Sequence, residues 1–191
     1  DENVDYYLIF QSPGSNKFDP SKTLFFQNEP NADHRADIWG KWADPDFREL
    51  LYLRMHKDFH NCIEWQLSTP YSKLKQEGGP KTKLLSAIIS SKYINAGHKK
   101  RIDFLKYYEA QEGAPEIDIY SFDNLFKFRS YRGDLKTHQN EPGLMPYKYT
   151  FRVENKWVPN FFTEKIVDSI LCETLCFYWG CPNLEEYIPS Q

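Results

Sequence analysis

No apolar run in these 191 residues approaches the roughly 20 residues that cross a bilayer as a helix. A membrane-spanning helix is therefore excluded from this stretch of chain. Basic charge is not in excess: 24 Lys and Arg stand against 27 Asp and Glu, the formal net charge is −3, and no basic block occurs. That balance excludes a general binder of nucleic acid or of anionic membrane. The four cysteines, Cys62, Cys172, Cys176 and Cys181, form no CxxC, and there is no N-x-S/T sequon. Thiols so spaced read as small apolar packing groups. Both absences point to a reducing, cytoplasmic setting. Internal repeats and low-complexity tracts are also missing. The N-terminus is not signal-like. It lacks an initiator Met, and the chain stops in the turn-like EEYIPSQ, so a fragment of a longer protein is expected, with any Golgi-type anchor outside it.

What the chain has in quantity is apolar material, 40% hydrophobic and 17% aromatic, enough for the core of one domain or two small ones. Residues 4–11 and 22–30 read as strands, the first a buried one. Residues 44–55 read as a short helix, with Asp44 as N-cap and Phe47, Leu50, Leu51 and Met55 at helical spacing. Residues 61–68 read as another strand. The charged, Gly- and Pro-containing segment 73–83 reads as a linker, so the expected division is 1–78 and 79–191. Beyond it the pattern becomes a strand–helix alternation. Residues 83–90 form a near-continuous apolar run, typical of a strand buried on both faces. Residues 95–111 read as a helix capped by Asn95, with Ile102, Leu105 and Tyr108 on one face. A strand follows at 116–121. Another spans 147–155, where Tyr147, Tyr149, Phe151 and Val153 alternate with polar neighbours. Residues 163–173 read as a helix capped by Thr163, with Ile166, Ile170 and Leu171 as its buried stripe, and 175–180 as a final strand. This order implies a parallel α/β sheet with helices on both faces, which binds ligands beyond the carboxyl ends of its strands.

Those ends carry Asn155, Glu164 and Lys165. A helix start favours an anion through its free N–H groups and dipole. Glu164 alone fits a first-turn acid. Lys165 is unfavourable there unless a negative group sits nearby, and a bound phosphate would account for all three residues. Capping and surface exposure is the plainer alternative. Other patterns are weaker. Asp44 and Asp46 spell a DxD, but at a helix start, where capping explains Asp44. His56, His60 and Cys62 have ligand-like spacing without a second ligand pair, so no metal site is assigned. Trp39, Trp42 and Trp65 could stack on a sugar but read more simply as core.

The long stretch YKYTFRVEN…FFTEKIVDSILCETLCFYWGCPN resembles the donor-site signature of the α1,3-fucosyltransferase family, glycosyltransferase family 10, and most closely its viral and microbial members. Residues 81–109 resemble that family's arginine-bearing strand–loop–helix, and TLFFQNEPN (23–31) the segment with its catalytic glutamate. The resemblance implies two facing Rossmann-like halves of the GT-B type, with the N-terminal, acceptor-side half incomplete. It implies inverting transfer of fucose from GDP-fucose to a glycan hydroxyl, with no metal. By position, Asn155 matches a donor-phosphate contact, and Arg101 and Lys165 match diphosphate contacts. Glu164 matches the acceptor of the ribose hydroxyls, and Glu29 the general base. Phe161 falls where some members carry a tyrosine near the nucleotide, so one hydroxyl is lost. A related transferase using another nucleotide sugar, or a nucleotide- or carbohydrate-binding module without turnover, are the alternatives.

Overall fold

The computed structural model describes residues 4–10, 12–14, 17–27, 50, 52–55, 66–77, 79–121 and 123–189. Glu29, Trp39, Trp42, Asp44, Asp46, His56, His60, Cys62 and Trp65 lie outside them. The chain divides into two compact units, one of residues 1–61 with 158–161, the other of residues 62–157 with 162–191.

The first unit holds a three-stranded parallel sheet. Its strands are β1 (Tyr7–Phe10), β2 (Thr23–Gln27) and β3 (Tyr52–Met55), in the order β1-β2-β3. Phe25 on the central strand is fully buried against Ile9, Phe18 and Leu50. β1 is an edge strand and buries only Ile9, while Leu8 and Phe10 are exposed, so it is not the buried strand its composition indicates. Residues 52–55 are a strand rather than the end of a helix. Their parallel register with β2, Leu24 opposite Tyr52 and Gln27 opposite Met55, satisfies a backbone that local apolar spacing alone would have coiled.

The second unit is built on a five-stranded, wholly parallel sheet. Its strands are β4 (Lys83–Ile89), β5 (Ile117–Ser121), β6 (Tyr131–Gly133), β7 (Tyr147–Val153) and β8 (Leu175–Trp179), in the order β6-β5-β4-β7-β8. Three helices accompany it among the described residues: α1 (Tyr71–Glu77), α2 (Ala96–Ala110) and α3 (Glu164–Leu171). None is long and apolar enough to cross a membrane. The segment read as a linker thus contains α1. Leu74 is deeply buried and packs with Leu67, Leu144 and Cys172, and an apolar anchor in a charged turn leaves almost no periodic signal. Residues 66–68 run irregularly rather than as a strand.

Side-chain alternation sends the two faces of the sheet to different helices. Ala87, Ile89, Ile117 and Ile119 meet Ile102 and Leu105 of α2, and the Phe104 ring lies tilted against Phe151 with centroids 4.4 Å apart. On the other face, Ile166 and Val167 of α3 pack against Cys176 and Tyr178. Ile170 is 48% exposed, so the buried stripe of α3 runs through Ile166 and Val167 instead. Each fully buried aliphatic side chain contributes about 1.5–3 kcal/mol, which fixes both helices, and hence their N-termini, against the carboxyl ends of β4 and β7.

Candidate functional site

The site forms where β7 ends and α3 begins. Strand alternation turns Arg152 and Glu154 towards the α3 side, and both are almost solvent-free. Glu154 ties the strand end to the helix start. Its Oε1 accepts the Thr163 N–H at 2.9 Å, and the Thr163 hydroxyl lies 2.9 Å from both carboxylate oxygens. Tyr178 donates its hydroxyl to Glu154 Oε1 at 3.3 Å and accepts the Cys181 N–H at 3.2 Å. Gly180 leaves this carboxylate its room, because a Cβ there would stand 2.4 Å from Glu154 Cγ.

Lys165 closes the cluster. Its Nζ lies 3.0 Å from Glu154 Oε2, 2.8 Å from Thr163 Oγ1 and 3.3 Å from Glu164 Oε1. The negative group that a lysine needs at a helix start is therefore supplied first by the protein itself. Burial pulls the Lys165 ammonium down, but the carboxylates of Glu154 and Glu164 outweigh it and hold its pKa above the ordinary value. Burial pushes the Glu164 carboxyl up, but Lys165, Arg152 and the hydrogen bonds of Thr163 and Lys165 prevail and keep it below the ordinary range. Both side chains are thus ionised at neutral pH, at roughly 15% exposure.

Arg101 reaches the same place from α2. Its Nη2 donates to Ser90 Oγ at 2.6 Å and its Nη1 to the Val153 carbonyl at 3.3 Å. Burial, helped by Arg152, lowers its pKa to about 10, against the pull of Glu154 and Glu164, so it stays protonated. The start of α2 docks directly on the strand end, where Gly97 N–H donates to the Asn155 carbonyl at 3.1 Å. His98 beside it is buried, and its Nδ1 accepts the Asn95 N–H at 3.2 Å.

Of the residues singled out from sequence, Arg101, Asn155, Glu164 and Lys165 belong to the second unit and gather around this joint. Phe161 is buried, closes a turn through its N–H to the Val158 carbonyl, and belongs with the first unit. Glu29 lies outside the described residues. Sequence reasoning missed Glu154, Arg152, His98 and Tyr178. A polar side chain on a central strand of a two-faced parallel sheet was the available signal for the first two.

Cation and carboxylate are closely mixed here, yet three buried guanidinium nitrogens have no hydrogen-bond partner: Nε of Arg101, and Nε and Nη1 of Arg152. The arrangement can accept an oxyanion at the guanidinium edges and can offer a carboxylate to hydroxyl groups through Glu164. No group of three or more His, Cys, Asp or Glu side chains with metal-binding geometry occurs among the described residues.

A parallel α/β unit with a helix-terminal charge cluster beyond its strand ends is the class that this geometry defines. Two solved structures share the fold. An α1,3-fucosyltransferase is 19% identical with a TM-score of 0.54, over 97% of this chain and 60% of its own. An α1,3-fucosyltransferase with GDP is 20% identical with a TM-score of 0.55, over 97% of this chain and 59% of its own. The chain thus spans about 60% of the length of the solved structures it matches and shares their α/β fold over that length. No family model and no curated protein matches it.

Proposed function

We propose that the chain carries the donor-binding half, and part of the acceptor half, of an inverting glycosyltransferase whose donor is GDP-fucose. The observation that carries this reading is the set of unpartnered nitrogens on the buried Arg101 and Arg152. A buried donor left unpaired costs about 1–3 kcal/mol, more when charged, and a diphosphate supplies the missing acceptors. The fold shared with a fucosyltransferase solved with GDP adds support, as does the TEK signature at the α3 start.

In this reading Asn155, Arg101 and Lys165 hold the diphosphate. Lys165 keeps its contacts to Glu154 and Thr163. The longest of its three, 3.3 Å to Glu164, is the one that a phosphate oxygen displaces. Glu164 is then released to accept the ribose hydroxyls. Phe161 takes the place of a tyrosine near the nucleotide. The first unit belongs to the acceptor side and the second, α1 included, to the donor side. Glu29 takes the proton from the acceptor hydroxyl. The oxygen attacks the anomeric carbon, the bond to the diphosphate breaks, and configuration inverts. Arg101, Lys165 and the α3 N-terminus take up the negative charge of the leaving GDP, the role a metal fills in other transferases.

A thermal-shift panel tests the donor. GDP at ~100 times its dissociation constant should add about 2.7 kcal/mol of stability, and free fucose none. Equal stabilisation by UDP and CMP would remove the guanine preference. No response of the folded chain to any nucleotide would remove the site.

A further inference from the structure

The order β6-β5-β4-β7-β8 reverses between β4 and β7: the chain leaves β4 through α2 towards β5, and leaves β7 through α3 towards β8. At such a reversal a crevice opens beyond the carboxyl ends of the strands, and open α/β sheets bind ligands there. Ser90 stands on one lip of the crevice, directly after the last residue of β4. Val153 stands on the other, as the last residue of β7.

Arg101 is strapped across the two lips. Its Nη2 donates to Ser90 Oγ at 2.6 Å and its Nη1 to the Val153 carbonyl at 3.3 Å. The direction of the Ser90 bond follows from chemistry alone. A guanidinium has five N–H donors and no acceptor, so the serine oxygen accepts. The serine's own proton therefore points away from Arg101. The bond from Arg101 is the one hydrogen bond of the Ser90 side chain among the described residues, so that proton meets no protein acceptor. Ser90 is only half-buried, which leaves its hydroxyl open to a ligand.

The other partner of the bond is also unspent. Arg101 is 4% exposed, and its buried Nε has no partner. One bonded pair at the crevice thus carries two idle donors, the Ser90 O–H and the Arg101 Nε–H. An oxyanion is the ligand group that can accept from a hydroxyl and a guanidinium together. Because its oxygen accepts from a cation, the Ser90 hydroxyl is polarised and is the stronger donor for it.

We propose that Ser90 is a further binding residue of the donor site, which holds the Arg101 guanidinium across the crevice and donates its own O–H to an oxygen of the diphosphate. The proposal rests on the nucleotide-diphosphate reading of that site. It gives the central strand β4 a contact with the ligand, beside those from β7, α2 and α3.

The test removes the hydroxyl, restores it, and asks whether it acts through Arg101 alone. GDP and inorganic pyrophosphate are titrated against wild type, Ser90→Ala, Ser90→Thr, Arg101→Lys and the double variant Ser90→Ala with Arg101→Lys. Melting temperatures are recorded without ligand. Ser90→Ala should bind both probes about tenfold more weakly, and Ser90→Thr, which keeps an O–H, should regain most of that loss. Arg101→Lys keeps the charge and removes the strap, and in that background the loss of the hydroxyl should still weaken binding several-fold. Binding that Ser90→Ala leaves intact overturns the proposal. So does a Ser90→Thr variant that melts like wild type and binds as weakly as Ser90→Ala. A loss that vanishes in the Arg101→Lys background overturns the direct contact and leaves Ser90 a prop for the arginine. Each of these outcomes leaves the donor site standing, whereas failure of wild type to bind either probe overturns the donor-site reading itself.

Discussion

The α2 side of the five-stranded sheet is apolar across β4 and β5: Ala87, Ile89, Ile117 and Ile119 are nearly solvent-free and meet Ile102 and Leu105. The α3 side buries Ser86, Thr150, Arg152 and Glu154 just as completely. One strand, β7, supplies both kinds of surface by alternation. The apolar side holds through area removed from water, is indifferent to direction, and tolerates small readjustments. The polar side holds only if every donor and acceptor is met, because an unpaired polar group away from water is costly. Ser86 meets the Gly143 carbonyl at 2.6 Å and Thr150 at 3.2 Å, and Asp168 takes the Gln66 N–H at 2.8 Å and the Asn140 amide at 2.7 Å. Among these groups Arg152 remains partly unsatisfied, and it stands where the ligand is proposed. The contrast separates a scaffold from a site within a single layer of strands.

The largest effect should come from breaking the polar side at its centre. Glu154→Ala leaves Lys165 buried without its main counter-charge and frees the Thr163 N–H, so stability should fall by about 3–5 kcal/mol in denaturant titration. A loss below about 1 kcal/mol would mean that Glu164 alone can hold the lysine. On the apolar side, Ile102→Ala should cost about 2–5 kcal/mol through the cavity it opens. Its GDP affinity, measured on the folded fraction, should stay near wild type, and a proportionate loss of affinity would erase the distinction between the sides.

The next effect is one of pH. Burial first, and then Arg101, Lys92 and Lys165, depress the His98 pKa from 6.5 to about 4. The unfolded chain therefore binds a proton that the folded one refuses. The stability involved is complete above the ordinary histidine value and is lost as pH falls through that window, by up to ~3 kcal/mol. Denaturant midpoints measured across the window should show this slope in wild type, and His98→Gln should flatten it. The smallest effect belongs to neither side: Ile170→Lys, on the outer surface of α3, should change stability by less than about 0.5 kcal/mol. A larger loss would mean that Ile170 is covered in solution.

The alternation of strand and helix from residue 83 onward was legible because each element leaves a periodic trace: an apolar run in β4, helical spacing in α2, a Thr–Glu start in α3. β3 and α1 were not, since β3 is held by pairing with β2 and α1 by one leucine, neither of which is local information. In the site, Asn155, Glu164 and Lys165 stood out by their place at element ends. Arg152 and Glu154 did not, because polar residues alternating with aromatic ones along β7 read as a solvent face, and only the presence of α3 on that face shows them to be interior. His98 was invisible for a simpler reason: it is buried because the start of α2 docks on the end of β7, and that docking is not local information.

The docking of α2 through Gly97 also shapes what mutation can reach. The first carbon of any side chain at that position already meets a carbonyl at 1.7 Å. In a library that samples all amino acids there, alanine should fare little better than tryptophan, and neither size nor polarity should sort the survivors. Gly113 gives the opposite profile. Its φ of +75° lies in open space, so asparagine should lead and β-branched residues should trail. Two glycines in one unit would thus leave distinguishable signatures in a pool of variants, one recording a contact between backbones and the other only a preferred torsion.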